Sequence, residues 1–197
     1  MSELNLPIFS KVEASDILGF IDYWSKLYVS RDEWKYQDNI NFNKFSPDNL
    51  RLLFEWKNGS VISAPKFKGI QKNILSKLDT INGFKSSDNF NVEEFKVEFI
   101  SYEGIVWKLF LLHIIKPNEY PIYDQHVHRA YNYMKGMDYE RIKNVIPEME
   151  KWNFYFDAYL PFVQTTDFKK WKLKELDEAF FAFGQFLNTG AYKRMIV

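Results

Sequence analysis

The chain has 197 residues, which is enough for one domain with a substantial core. Its 26 basic and 26 acidic side chains give a formal net charge of zero, so no overall field attracts the protein to nucleic acid or membranes. A nucleic-acid role would need a local basic patch. Cysteine is absent, which excludes disulfides, a thiolate nucleophile and a cysteine-ligated zinc or iron–sulfur site.

The N-terminal third of the sequence predicts two helices separated by a loop. Apolar residues recur at helical spacing from 14 to 28, which predicts the first helix, whereas residues 30–45 are polar and aperiodic, which is typical of a loop. The triplet Ser46-Pro47-Asp48 predicts a helix start, because serine accepts hydrogen bonds from free N–H groups and proline suits the first helical position. Asn58-Gly59 predicts the end of that helix.

The middle of the chain predicts further helices and one buried helix at the centre. A helical pattern begins at about residue 67 and ends near Asn82-Gly83, and another helix starts after Asn91. The run from 105 to 115 is apolar at almost every position, which indicates a helix buried on all sides. Of its two polar residues, we expect His113 to be a hydrogen-bonded core histidine and Lys108 to extend toward an edge.

Prolines divide the remainder of the chain. Lys116-Pro117-Asn118 ends the central helix, and a new helical pattern begins at Asp124, where free N–H groups and the helix dipole stabilise a carboxylate. The pattern from 138 to about 159 predicts helix with a break at Pro147, and Pro161 disturbs the helix that follows. A last helix is predicted over 171–187. Alternating segments are nearly absent, so the sequence predicts a single all-α domain over residues 1–197.

One short segment resembles a known family. Residues Pro121-Ile122-Tyr123-Asp124-Gln125-His126-Val127-His128-Arg129 are similar to the pattern P-(I/V)-x-D-(T/V)-H-V-x-R of the helix-hairpin-helix DNA glycosylases, the superfamily of endonuclease III and the 8-oxoguanine glycosylases. That family has a hairpin of the form L-P-G-V-G and an apolar helix before this pattern. Here Ile100-Ser101-Tyr102-Glu103-Gly104 stands at that place, 20 residues from Gly104 to Asp124, and the likeness covers about residues 99–131.

The resemblance implies two closely packed helical lobes, with a helix-hairpin-helix at about 92–116 and the aspartate-bearing helix at about 124–134. It implies that Asp124 is the catalytic carboxylate, which stabilises positive charge on the sugar of a flipped nucleotide or positions a water. It also implies that Ser101, Tyr102 and Gly104 bind the DNA backbone through main-chain N–H groups. For Arg129 two interpretations remain, a phosphate contact and a structural ion-pair or capping partner. Duplex DNA, damaged or intact, is then the expected partner.

The departures from the family pattern bear on the chemistry. The lysine that acts as a Schiff-base nucleophile in strand-cutting members is replaced by Val106, and Lys108 should point to another face of the helix. Glu103 places a negative charge where phosphate should dock, and one hairpin glycine and the proline are missing. We therefore expect a glycosylase without lyase activity. The alternative is a non-catalytic protein that uses the same scaffold to bind nucleic acid or a protein partner.

Other patterns favour structural roles. His126 and His128 diverge on a helix and lack a fourth ligand, so we expect neither a metal site nor any other cofactor. The lysine run ending at Lys174 is typical of a solvated helix start, with a DNA-backbone contact as the alternative, and the aromatic residues from 152 to 159 are typical of core packing, with base stacking as the alternative. No apolar run reaches membrane length and the N-terminus lacks signal-peptide features, so we expect a cytoplasmic protein.

Overall fold

The structure is a computed structural model that describes residues 17–99, 104–143, 146–165, 168 and 171–190. Over these residues the protein is helical and contains no strand, which confirms the predicted all-α class. The α-helices are α1 (Ile17–Ser25), α2 (Glu33–Ile40), α3 (Pro47–Asn58), α4 (Ala64–Asn73), α5 (Leu78–Ser86), α6 (Val92–Phe99), α7 (Ile105–Ile115), α8 (Gln125–Met134), α9 (Glu148–Phe154), α10 (Leu160–Val163) and α11 (Leu173–Asn188). Across the described part of the chain, no helix is both long and apolar enough to cross a membrane.

Helix α7 lies in the core, as its apolar sequence predicts. Nine of its residues, from Ile105 to Ile115, are buried. His113 is hydrogen-bonded on both sides, with Nε2 2.7 Å from the Tyr36 hydroxyl and Nδ1 2.7 Å from the Tyr120 carbonyl oxygen. Burial lowers the pKa of His113 to about 3, so the ring is neutral. The expectation for Lys108 was wrong: this side chain is buried within the core and only 4% exposed.

The predicted loop before residue 46 contains helix α2, which the sequence analysis missed. Only Tyr36, Asn39 and Ile40 of this helix are buried, at the spacing of one helical turn, while the other positions are polar or exposed. A single apolar turn of this kind leaves little periodicity to detect. Helix α3 agrees with its prediction, because Ser46 and Asn49 form a reciprocal capping box and Gly59 ends the helix in the left-handed conformation.

Two other boundaries differ from the prediction. The pattern from residue 67 is divided into α4, a 3-10 turn Leu75–Lys77 and α5, and α5 continues through Gly83, which was expected to end a helix. Pro147 does precede a helix start, as predicted. At Pro161 the helical path widens rather than stops, since a π-helix Tyr155–Tyr159 joins α9 to α10 and Leu160 N–H bonds the Tyr155 carbonyl oxygen.

Helix α11 packs against α8 and α1 and holds the start of α8 in place. The closest approach is at Gly184, where a methyl group would lie 1.9 Å from the His126 carbonyl oxygen. Only glycine fits between the two backbones at this point. The first turn of α8, which carries Asp124 at its start, is therefore positioned by direct backbone contact with α11.

Candidate functional site

Asp124 is the N-cap of α8, as the sequence predicts. Its backbone is extended (φ −156°, ψ −179°), and its Oδ1 accepts hydrogen bonds from His126 N at 2.7 Å and Val127 N at 3.0 Å. These two bonds satisfy N–H groups that would otherwise lack a partner at the helix start. They also leave the second carboxylate oxygen, Oδ2, directed away from the helix and available for other contacts.

The partner of that second oxygen is Lys57, at the end of α3. Lys57 Nζ lies 3.4 Å from Asp124 Oδ2, and the two side chains are 8% and 16% exposed. Burial is the largest influence on the Asp124 carboxyl and acts to raise its pKa. The Lys57 ammonium, His126 and the two backbone N–H donors together outweigh burial, so the pKa of Asp124 is lowered and the group is an anion at neutral pH.

Asp124 lies on the wall of a cleft of about 770 Å³. Segments of α3, α7, α8 and α11 contribute to its walls, as does the loop before α2. The aromatic side chains that line it are Tyr28, Trp56, Trp107, Tyr123, His126 and Phe181. A partly aromatic cleft with a few polar groups is the ordinary form of a small-molecule or base-binding site. Asp124 therefore lies where a bound small molecule or base could reach it.

The cleft is lined by equal numbers of basic and acidic residues. Among the described residues, four basic side chains (Arg31, Lys57, Lys151 and Lys174) face four acidic ones (Asp32, Asp124, Asp177 and Glu178). A protein that binds duplex DNA is expected to surround its site with positive potential. Because burial raises the pKa of Asp177, the described lining of this cleft has at most a small excess of positive charge.

Lys174 belongs to the wall of the cleft rather than to a solvated face. Its ammonium lies 4.8 to 5.1 Å from the ring centroids of Tyr28, Tyr36 and Trp56. It also forms ion pairs with Glu33 at 3.0 Å and Glu178 at 2.7 Å. Both interactions hold the side chain inward, so the expectation of a solvated lysine was wrong at this position. Lys169 and Lys170 of the same run lie outside the described residues.

Asp177 is a second carboxyl at the cleft, and the sequence analysis missed its importance. It is 4% exposed, and it accepts hydrogen bonds from Ile122 N at 2.8 Å and from the Tyr159 hydroxyl at 3.2 Å. Burial raises its pKa well above the usual range, more than the hydrogen bonds and nearby lysines lower it. The sequence offered no signal for Asp177 or for Lys57, because each meets the Asp124 segment only through the fold.

The predicted hairpin is only partly described. Ser101 and Tyr102 lie outside the described residues, and the DNA contacts expected of them stay predictions. Gly104 has φ +67°, a left-handed conformation that suits glycine, immediately before α7. The next N–H, of Ile105, donates to Glu148 Oε2 at 2.7 Å. A carboxylate of the protein itself therefore occupies a donor at the start of α7, where a phosphate would have to bind.

The side chain of Arg129 is buried and bonds other protein groups. It is 1% exposed, and its guanidinium donates to the Gly184 carbonyl oxygen at 3.2 Å and lies 2.9 Å from His126 Nδ1. A phosphate contact does not fit this burial. The structural alternative fits, since Arg129 links α8 to α11 through Gly184.

The two histidines of the segment point in different directions. His126 lines the cleft and packs edge-on against Phe181, whereas His128 is buried, stacks on Phe154 and lies 3.0 Å from the Tyr123 hydroxyl. The described parts of the chain contain no group of three or more histidine and carboxylate side chains that could hold a metal ion.

Comparisons with protein families, curated proteins and solved structures gave no match to this chain.

Proposed function

We propose that this protein is a glycosylase that hydrolyses the N-glycosidic bond of a nucleotide held in the Asp124 cleft, with Asp124 as the catalytic carboxylate. The observation that carries the proposal is the state of Asp124: an anion, fixed by two backbone N–H groups at a helix start, on the wall of a partly aromatic cleft. The resemblance of residues 121–129 to the helix-hairpin-helix glycosylases supports the same role, because it implies a catalytic carboxylate at this position.

The chemistry is a substitution at the sugar carbon. The bond between C1′ and the base nitrogen breaks, the base leaves with the bonding electrons, and positive charge develops on the sugar. The Asp124 carboxylate stabilises this charge because it is already ionised and oriented before the reaction begins. Water then adds to C1′ as hydroxide, and the proton that remains neutralises the departing base.

No amine of α7 takes part in this reaction. Val106, at the position of the family's lysine, lines the cleft and has no nucleophile, while Lys108 is buried in the core. Lys57 is the basic group that contacts Asp124, and we assign it the role of keeping the carboxylate ionised. The proposed enzyme is thus monofunctional, with neither a Schiff-base intermediate nor strand cleavage.

A second candidate is a non-catalytic protein that uses the same scaffold for binding a protein partner or nucleic acid. Three observations favour it. Lys57 offsets part of the negative field of Asp124, Glu148 occupies the Ile105 N–H at the start of α7, and the described cleft lining carries at most a small excess of positive charge. Each would weaken either the catalysis or the grip on a phosphate backbone.

The first experiment is binding of the purified protein to a duplex that contains a tetrahydrofuran abasic-site analogue, at two salt concentrations, with undamaged duplex as control. Salt-sensitive preference for the analogue is the expected result, because a flipped sugar would enter the cleft. Excision is then measured by single turnover on duplexes that carry damaged bases, with Asp124→Asn as the inactive control. Absence of binding to either duplex at low salt would refute the glycosylase and favour the second candidate.

A further inference from the structure

The segment that leads to Asp124 is gripped at a single peptide unit. The hydroxyl of Tyr155 donates to the Pro121 carbonyl oxygen at 2.9 Å, and the N–H of Ile122 donates to Asp177 Oδ2 at 2.8 Å. The carbonyl of Pro121 and the N–H of Ile122 belong to the same planar peptide, so both of its polar groups are bonded. This peptide cannot rotate without breaking one buried hydrogen bond or the other.

The groups that grip this peptide come from two different parts of the fold. Tyr155 is the first residue of the π-helix and Asp177 lies in α11, and Tyr159, at the end of the same π-helix, donates to Asp177 Oδ1 at 3.2 Å. Tyr155 and Tyr159 are fully buried. The wide π-turn and α11 are thus linked to each other and to the Pro121–Ile122 peptide by three hydrogen bonds, which we call the peptide clamp.

Burying the carboxyl of Asp177 in the clamp costs folding free energy. A carboxyl such as Asp177 loses its hydration on burial, and no cation lies within ion-pair distance of it among the described residues. An apolar residue at this position would avoid that cost. Wide helical turns and buried carboxyls both concentrate at functional sites, so their meeting at one peptide points to a role beyond packing.

That role follows from the position of the peptide in the chain. Asp124 is two residues beyond Ile122, with extended backbone, and its Oδ1 is fixed by the first turn of α8. We propose that Tyr155 and Asp177 are positioning residues, whose grip on the Pro121–Ile122 peptide sets the distance between the Asp124 carboxylate and the Lys57 ammonium in the cleft. The catalytic consequence rests on the proposed function, whereas the geometric effect on Asp124 does not.

The test measures Asp124 directly. Burial raises the pKa of its carboxyl, whereas Lys57, His126 and two backbone N–H donors lower it, and Asp124 also interacts electrostatically with Arg129 and with Tyr159 of the clamp. If the clamp is loosened by Tyr155→Phe, the carboxylate moves relative to Lys57, the attraction weakens, and the pKa of Asp124 rises by about 0.5 units or more. The pKa is measured by carbon-detected NMR titration of aspartate-labelled full-length protein.

A matched control separates positioning from general loss of stability. Tyr36→Phe also removes one buried tyrosine hydroxyl, but that hydroxyl is hydrogen-bonded to His113 and takes no part in the three hydrogen bonds of the clamp. We expect Tyr36→Phe to leave the pKa of Asp124 unchanged. Equal shifts in the two variants would overturn the proposal, and so would no shift in Tyr155→Phe.

Substitutions of Asp177 test the clamp independently. Asp177→Asn retains an oxygen that can accept from Ile122 N–H, so it should shift the pKa of Asp124 less than Asp177→Leu, which removes the acceptor. Equal effects of the two substitutions would count against the clamp. Single-turnover excision by the same variants then tests the catalytic consequence. If the pKa responds as expected but no variant or wild-type protein excises a base, the proposed function fails while the clamp stands.

Discussion

Gly184 in α11 provides a sharp test of how the site is held, because alanine there should have the opposite effect from alanine at other helical glycines. A Cβ at this position would lie 1.9 Å from the His126 carbonyl oxygen, 2.5 Å from its carbonyl carbon and 2.9 Å from its Cα. All three atoms belong to the backbone of α8, so a side-chain rotation cannot relieve the clash. Helix α11 or the first turn of α8 must move instead.

The expected magnitude follows from two opposing effects. Replacing glycine by alanine inside a helix favours folding by about 1 kcal/mol, because alanine loses less conformational freedom. Overpacking a tight interior costs about 1–3 kcal/mol, and more where the backbone must shift. A contact of 1.9 Å between a side-chain carbon and a backbone oxygen should cost free energy at the upper end of this range. We therefore expect Gly184→Ala to lower the free energy of unfolding by ~2 kcal/mol or more.

The controls are Gly69→Ala in α4 and Gly83→Ala in α5, where no atom outside the local helix lies within 4 Å of the added Cβ. These variants should be as stable as wild type, or more stable by ~0.5–1 kcal/mol. The assay is equilibrium urea unfolding of all four proteins, with the slope of each transition compared to exclude a change in the denatured state. Wild-type stability in Gly184→Ala would refute the close approach of α11 and α8.

Three further substitutions test electrostatic features of the fold. Glu148→Gln should tighten binding to undamaged duplex DNA, measured by fluorescence anisotropy at low salt, because it removes the anion at the Ile105 N–H. The control Glu150→Gln changes the net charge equally and should increase the affinity for DNA less. Burial and the nearby Lys116 lower the pKa of Lys85 to about 8, so the unfolded chain binds this proton more tightly than the folded protein does. In urea titrations, the stability of wild type relative to Lys85→Met should therefore rise from pH 8 toward pH 10.5. A difference that stays constant with pH would contradict this expectation. The pKa of Asp124 is lowered, so its stabilising effect is complete above the unfolded pKa and lost as pH falls; the advantage of wild type over Asp124→Asn should shrink below about pH 4 in thermal melts.

The elements that sequence predicted well are those with strong local signals. Ser46 with Pro47 and Asn49 defines the start of α3, and the apolar run of α7 leaves no wet face. Asp124 was placed correctly at the start of α8 because an N-cap depends only on the next few residues. The cleft on whose wall Asp124 lies appears only in the packed structure.

The features that were missed depend on residues far apart in the chain. Lys57 and Asp124 are 67 positions apart, and Asp177 is 55 positions from Ile122, so no local pattern connects them. Helix α2 was missed because its polar composition hides one buried turn. For Arg129 the sequence left open whether the side chain points to solvent or to the protein interior. Its inward direction is set by α11, to which it donates a hydrogen bond.

The inward lysines have a consequence for how a ligand could enter. Lys57 joins α3 to the start of α8 and so links two walls of the cleft, and Lys174 joins the α11 wall through Glu33 to α2, the helix that follows the lining loop. A jaw-like opening would have to break both links and withdraw an ammonium from three aromatic faces. We therefore expect the cleft to behave as a rigid slot that is already open, so that any conformational adjustment on binding falls to the ligand.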